Sequence, residues 1–79
     1  MAPTFIRRIP IESSSIASVG HEPRTSILEV EFCNGSVYRY FAVPRAIFDQ
    51  LIGAESKGRY LNRFVRNHYP AERVTLHDR

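Results

Sequence analysis

Ten of the eleven cationic side chains in this 79-residue sequence are arginines. Residues 1–56 hold five arginines against six acidic residues, a net charge of −1, whereas residues 57–79 hold six cations against two acids, a net charge of +4. The guanidinium of arginine binds a phosphate through two parallel hydrogen bonds and also stacks on a base. The ammonium of lysine can form neither of these contacts. The charge distribution therefore favours a nucleic-acid partner, with a solvated polar face as the other interpretation.

Several of these cations fall on one face of a helix predicted over residues 57–68. At 100° per residue, this helix has an apolar stripe and an opposite polar stripe of three arginines and one asparagine. The polar stripe has no acid to pair with the guanidiniums, whereas an ordinary solvated face mixes both signs. The apolar stripe, which we expect to pack on a sheet, is Tyr60, Leu61, Phe64 and Val65. The residues expected to contact phosphates are Arg59, Asn62, Arg63 and Arg66, flanked by Lys57 and Arg73.

Metal and nucleophile patterns are weak in this sequence. The three histidines are dispersed, and Cys33 has no second thiol with which to form a disulfide or a zinc-ligand pair. The serines at 13–15 precede a strand without the Gly-x-Ser-x-Gly turn that exposes a nucleophile. We therefore expect no metal and no cofactor. A lone cysteine fits a reducing compartment, which predicts a cytoplasmic protein.

Glu29 and Glu31 lie on one strand face about 7 Å apart, a spacing that glycosidase carboxylates can show. The same pair also marks any solvated strand face. A chain of this length offers little material to exclude water from a reacting centre, so we expect a protein that is not an enzyme.

The length and composition predict one small globular domain. Hydrophobic residues make up 43% of the sequence and charged residues 24%, which is ordinary globular usage and argues against a wholly disordered chain. No apolar run approaches the ~20 residues of a membrane span, and the first ten residues lack the apolar stretch of a signal peptide. We expect a flexible lead-in over residues 1–12, the domain over 13–70, and a short extended or frayed tail over 71–79.

Three strands are predicted, over residues 13–20, 27–32 and 36–41. The second shows the clearest alternation, with three apolar residues interleaved with Glu29 and Glu31. Asn34-Gly35 is a strong turn signal that returns the chain into the third strand. The sequence thus predicts an antiparallel meander with one apolar and one acidic face.

The register of that hairpin has two candidates. A two-residue loop places Tyr38 and Tyr40 on the outer, acidic face, opposite Glu31 and Glu29. A three-residue loop with Gly35 in the left-handed region places both tyrosines on the apolar face and sets Glu29 opposite Arg39. The second register satisfies more partners and is favoured.

Two helices are predicted to follow the meander and to pack on one face of it. Pro44 suits the first position of the first helix, and Gly53 suits its end. Ser56 is expected to cap the second helix, and Pro70 comes after it. The predicted fold class is α+β: a three-stranded antiparallel β-meander followed by two helices on one face.

The order and spacing of these residues resemble the KTSC domain family. The resemblance runs from about residue 13 to residue 69 and includes Leu28-x-Val30-x-Phe32-x-x-Gly35-x-Val37-Tyr38-x-Tyr40-x-x-Val43-Pro44, followed by Ala54-x-Ser56-x-Gly58-x-Tyr60-Leu61-Asn62. His21 departs from the pattern, because the resemblance leads us to expect an aromatic ring there.

The family takes its name from the carboxyl-terminal extension of some lysyl-tRNA synthetases, and it also occurs as short stand-alone bacterial proteins. The resemblance implies a small binding module, with RNA, either tRNA or a single strand, as the suggested partner. The alternative is a protein-interaction or assembly module, which uses either the exposed edge strand over residues 13–20 for strand addition or its own surface for a homodimer. The motif positions expected to be structural are Gly35, Tyr38, Tyr40, Pro44, Ser56 and Gly58.

Overall fold

Five antiparallel strands and two helices make up the part of the chain that the computed structural model describes, residues 5–74. The ends of the predicted lead-in and tail, residues 1–4 and 75–79, lie outside the described residues. The strands follow one another across the sheet in chain order. The elements are β1 (Ile9–Pro10), β2 (Ile16–Glu22), β3 (Ile27–Phe32), β4 (Val37–Tyr40), α1 (Arg45–Ile52), α2 (Lys57–Phe64) and β5 (Ala71–Val74).

The predicted α+β class, the central meander and the two helices are confirmed, but the prediction of three strands is wrong. The sheet has an additional strand at each edge, β1 before the meander and β5 after α2. These strands span only two and four residues and show no alternation of apolar and polar side chains. These two strands form because they pair with a neighbouring strand, so their own residues do not indicate strand structure.

The β3–β4 hairpin adopts the register with the three-residue loop. Gly35 has φ +94°, and the Phe32 amide donates to the Ser36 carbonyl oxygen over 2.8 Å. Across the ladder the Cα partners are Leu28 with Tyr40, Glu29 with Arg39 and Val30 with Tyr38. The favoured register is therefore confirmed.

Both helices pack on the sheet face that carries Leu28 and Val30. The fully buried cluster on this face joins side chains from three strands, the β4–α1 connection, both helices and the turn after α2. The His21 ring stacks on Phe48 with the centroids 5.7 Å apart, so an imidazole takes the place where an aromatic ring was expected. The cluster consists of Ile16, Val19, Leu28, Val30, Tyr40, Val43, Phe48, Leu51, Leu61 and Val65.

The helix ends differ in detail from the sequence predictions. Pro44 lies one position earlier than expected, as the N-cap of α1 in an extended conformation, and Gly53 ends α1 with right-handed helical angles. The predicted cap of α2 is confirmed, because the Ser56 hydroxyl oxygen accepts from the Arg59 amide over 3.3 Å. Within residues 5–74, neither helix has the length and apolar character needed to cross a bilayer.

The second helix ends four residues before the expected His68. Val65 is its C-cap, and Asn67 has φ +69°, a left-handed conformation that a right-handed helix cannot contain. The chain therefore turns over residues 65–68, and Arg66 lies in this turn and not in the helix.

The outer face of the sheet is organised around Glu29, whose side chain is 8% exposed. One carboxylate oxygen accepts from Arg8 over 2.6 Å, and the other accepts from Arg39 over 2.7 Å. Beside them, the Ser18 hydroxyl donates to Glu31 over 2.8 Å. The expected solvated acidic face is thus a partly buried ion-pair network, and the two carboxylates are neutralised or hydrogen-bonded.

Residues from the predicted lead-in take part in this network and cover β2. Ile6 is buried, and β1 pairs with β2 through Ile9 and Pro10. The chain passes so close to Gly20 that a Cβ built there would clash with the Arg7 carbonyl oxygen. This packing therefore requires glycine, which has no side chain, at position 20.

We predict that Gly20→Ala lowers the free energy of unfolding by about 1–3 kcal/mol, because the nearest obstacle is backbone and cannot rotate away. Chemical denaturation monitored by circular dichroism measures the change. Gly53→Ala is the matched control, since its Cβ would come no closer than 3.6 Å to another atom and its φ suits alanine. Equal stability of Gly20→Ala and the wild type would contradict the packing described for residues 6–8.

Candidate nucleic-acid interface

Three of the predicted phosphate-binding residues, Arg59, Asn62 and Arg63, are exposed on the outer side of α2. None of the ion pairs within residues 5–74 involves an arginine of this face, whereas Arg8, Arg39 and Arg45 each pair with a carboxylate. The positive charge of the α2 face is therefore not neutralised by a direct carboxylate contact in the described part of the chain.

Arg66 extends this basic surface beyond the end of the helix. Its guanidinium donates to the Asn62 side-chain oxygen over 3.1 Å, which fixes it next to α2 although its backbone lies in the following turn. The structure therefore brings together all four residues predicted as the central contacts. We call this surface the α2 basic face: Arg59, Asn62, Arg63 and Arg66.

Phe64 does not pack on the sheet as predicted. Its side chain is 46% exposed, and its ring lies against Tyr60 with the centroids 4.7 Å apart. The Arg63 guanidinium lies 5.5 Å from the centre of the Phe64 ring. Leu61 and Val65, one helical turn apart, are buried in the core, and the partly buried Tyr60 packs against it. The α2 basic face thus borders an exposed aromatic ring.

The two predicted flanking cations have different environments. The Lys57 ammonium donates to the Ala54 carbonyl oxygen over 2.9 Å, so it is tied to the α1–α2 connection and is only partly exposed. Arg73 is exposed on β5, where its Cα partner is Tyr38. Paired residues of neighbouring strands share a face, so Arg73 lies on the same side of the sheet as Tyr38.

The start of α2 borders a depression of mixed charge. Its lining includes Lys57 and Arg59 but also Glu12 and Glu55. The sequence of the helix stripe contains no acid, yet the fold places these two carboxylates beside it. Gly58 packs closely here, since a Cβ on it would lie 2.5 Å from the Ser15 hydroxyl oxygen. The more strongly positive part of the α2 basic face is therefore its far end, at Arg63 and Arg66.

A groove of about 510 Å³ opens beside that far end. It lies where the turn after α2 leaves part of β3 and β4 uncovered, on the helix side of the sheet. We call it the aromatic groove, because four of the nine residues that line it are aromatic: Phe32, Tyr38, Tyr40 and Tyr69, with Asn34, Ser36, Arg66, Asn67 and Ala71.

Sequence reasoning missed this groove. It indicated that tyrosines facing the helices would be covered, and Tyr40 is indeed buried, but Tyr38 is only half-buried. Asn67 and Tyr69 were not singled out, because they belong to a turn with no periodic pattern. The left-handed residue and the early end of α2 create the opening, and neither is marked by a glycine.

The pKa values of two tyrosine hydroxyls are raised, one in the groove and one on α2. Burial raises the pKa of Tyr40, the neighbouring positive charge of Arg66 opposes that rise, and Tyr38 adds to it. Burial also raises the pKa of Tyr60, with a contribution from Tyr69, while the Tyr60 hydroxyl donates to Gln50 over 2.8 Å. The raised pKa values keep the Tyr40 and Tyr60 hydroxyls protonated at physiological pH.

Candidate metal ligands do not converge in the described residues. No group of three histidine, cysteine or acidic side chains with metal-binding geometry occurs within residues 5–74, and His77 lies outside them. Cys33 is exposed in the hairpin loop, where its thiol lies 3.8 Å from the Ser13 carbonyl oxygen.

The family model for the KTSC domain matches residues 12–69, which include most of the strands, both helices and most of the groove. The chain belongs to the KTSC domain family. The crystal structure of a KTSC domain protein from Yersinia pestis superposes on it with a TM-score of 0.87 at 28% sequence identity, covering 90% of this chain and all of that one.

Relatives of this KTSC domain include both short and long proteins. An uncharacterised protein of Stutzerimonas stutzeri is 43% identical over 70 residues, covering 87% of this chain and 99% of its own length. The lysine–tRNA ligase of a Nostoc species is 38% identical over 64 residues, covering 81% of this chain. The chain spans only 11% of that ligase, so the similarity concerns one region of a much larger protein.

We predict that the free energy of unfolding falls as the pH rises above about 10, the ordinary pKa of tyrosine. Above that pH the unfolded chain releases tyrosine protons that the folded chain retains at Tyr40, so deprotonation favours unfolding. Urea denaturation at pH 8 to 11 measures this dependence. Tyr40→Phe, which has no proton to lose, is expected to show a shallower decline, and an identical decline in both proteins would contradict the assignment.

Proposed function

We propose that this KTSC domain is a small non-catalytic RNA-binding module that contacts the phosphate backbone through the α2 basic face. The observation that supports the proposal most strongly is the contrast between two sets of arginines. Arg8 and Arg39 are held by Glu29 on the outer face of the sheet, whereas Arg59, Arg63 and Arg66 make no ion pair within residues 5–74. Exposed guanidiniums without carboxylate partners are suited to phosphate.

The geometry of α2 also favours a linear, charged ligand. Arg59 and Arg63 are one helical turn apart, about 6 Å along the axis, and Arg66 continues the row into the turn. Neighbouring phosphates on one strand lie at a comparable spacing, so a row of guanidiniums can contact several in succession. The Arg66–Asn62 hydrogen bond orders one of these side chains before any ligand arrives.

Similarity to a region of lysine–tRNA ligases supports RNA over DNA. Those proteins are named for a reaction on tRNA, so the similarity favours RNA among the nucleic acids. An RNA partner for the present chain also favours a cytoplasmic location.

One form of the alternative, strand addition to an exposed edge over residues 13–20, does not fit the sheet. β2 lies between β1 and β3, with Val19 and Ser18 paired to Ile9 and Pro10. The edges among the described residues are β1 and β5. β2 is therefore not an exposed edge to which a partner protein could add a strand.

We predict that a labelled single-stranded RNA binds the wild type with an affinity whose logarithm falls by about 2 to 4 per unit of log salt concentration, as three to five phosphate contacts require. Fluorescence anisotropy at two salt concentrations measures this slope, with a tRNA and a DNA duplex as parallel ligands. Changing Arg59, Arg63 and Arg66 together to glutamine is expected to reduce the slope by about 2 and the low-salt affinity by about tenfold or more.

The matched control changes Arg7, Arg24 and Arg45 to glutamine. These side chains are exposed outside α2, so the control removes the same net charge and leaves the α2 basic face intact. Circular dichroism confirms that both variants fold. Equal losses of affinity in the two triple variants, or no RNA binding by the wild type at low salt, would reject the proposed function. Light scattering that shows salt-independent self-association would then favour an assembly role.

A further inference from the structure

The aromatic groove has a composition that phosphate contacts alone do not explain. Its volume of about 510 Å³ lies within the range of sites for small organic ligands. Tyr69 and Tyr38 are half-buried, so each retains a solvent-accessible part. Phe32 meets Tyr38 edge to face, with the ring centroids 5.8 Å apart. These contacts hold the Tyr38 ring in a fixed orientation against the sheet.

Polar groups with hydrogen-bonding capacity line the same groove. Asn67 carries an amide with two donors and an acceptor, and it is exposed on the turn where the backbone is left-handed. Arg66 lines the groove and is also part of the α2 basic face. The groove and the proposed phosphate contacts are therefore continuous through one residue.

We propose, resting on the RNA-binding function above, that the aromatic groove takes the nucleobase of an unpaired nucleotide in single-stranded RNA while the adjacent arginines hold its phosphates. Flat π surfaces from tyrosine side chains stack on a base, and an amide such as that of Asn67 pairs with the polar edge of the base. Arg66 is placed to contact the phosphate of the same nucleotide or to stack on the base.

The composition of the groove selects an unpaired base over the other occupants. A base inside a duplex is stacked on both faces and does not expose a surface to an aromatic ring, so duplex RNA is excluded from this site. An apolar peptide side chain would gain nothing from Asn67 and Arg66, and binding it would cost the desolvation of both groups. A nucleotide uses the rings, the amide and the cation together.

Two RNA ligands of equal charge test the proposal: an eight-nucleotide single strand, and the same strand with its central nucleotides abasic. We expect the wild type to bind the intact strand about tenfold more tightly than the abasic one, in line with the loss caused by removing one stacked base. Both strands present the same phosphates, so the salt dependence of binding is expected to be equal.

Two variants locate the effect in the groove. Tyr69→Leu removes a ring and keeps apolar volume, and Asn67→Gly removes the amide at a position whose φ suits glycine. Both are expected to weaken binding of the intact strand severalfold and to leave the abasic strand unaffected. Phe5→Leu is the control, because it removes a ring that is 84% exposed and lies outside the groove lining. If Tyr69→Leu does not fold, Asn67→Gly alone still tests the groove.

A second arm uses uridine and adenosine monophosphate with the wild type, read by tyrosine fluorescence and by NMR. The chain contains four tyrosines and no tryptophan, and three of the four tyrosines line the groove, so a stacked base is expected to quench the emission. Shifts of the Tyr38 and Asn67 signals that disappear in Tyr69→Leu would support the base site.

The two proposals fail in different ways. Equal affinity of the wild type for the intact and abasic strands overturns the base site and leaves the phosphate contacts in place. Absence of binding to both strands rejects the RNA-binding function. The mononucleotide experiment then tests, independently of RNA, whether the groove binds a base. Mononucleotide shifts at the groove would then indicate a site for a free nucleotide, and their absence would overturn the base site as well.

Discussion

The register of the β3–β4 hairpin decides which side chains reach the core of this domain. The period of a strand is two residues, so a slip of one position would move Tyr38 and Tyr40 to the outer face. The three-residue loop prevents that slip, because Gly35 supplies a positive φ that the turn requires and other residues adopt at a cost. With this register in place, Glu29 meets Arg39, and the helices receive a continuous apolar surface.

The two faces of the sheet have separate tasks as a consequence. On the outer face, Glu29 forms ion pairs with Arg8 and Arg39, and the segment before β1 covers Gly20. The charges of these three side chains are therefore paired with one another. On the helix face, α2 ends early and leaves the aromatic groove uncovered next to Arg66. The α2 basic face and the aromatic groove therefore adjoin each other through Arg66 on the helix side of the sheet.

Sequence patterns predicted the parts of this arrangement that are periodic or chemically marked. The alternation in β3, the turn at Asn34-Gly35 and the cap at Ser56 all carry a local signal, and all three are confirmed. The edge strands and the opening of the groove depend on contacts between distant segments. Asn67 has a positive φ in the turn after α2 although it is not a glycine, and β5 is fixed by its pairing with β4, so no local pattern marks either one.

The same limit applies to the charged residues. The helical periodicity of residues 57–66 placed four polar side chains on one face, and the structure brings them together. The helical periodicity could not show that Glu12 and Glu55 lie beside Arg59, because these two acids belong to the chain before β2 and to the α1–α2 connection.

An NMR titration of the isotope-labelled full chain with single-stranded RNA is the decisive test of this interface. We expect the signals of the α2 basic face and of residues 65–69 to shift together, including the guanidinium signals of Arg63 and Arg66, while those of Arg8 and Arg39 stay in place. Shifts centred on the outer face of the sheet, or on β1, would contradict it.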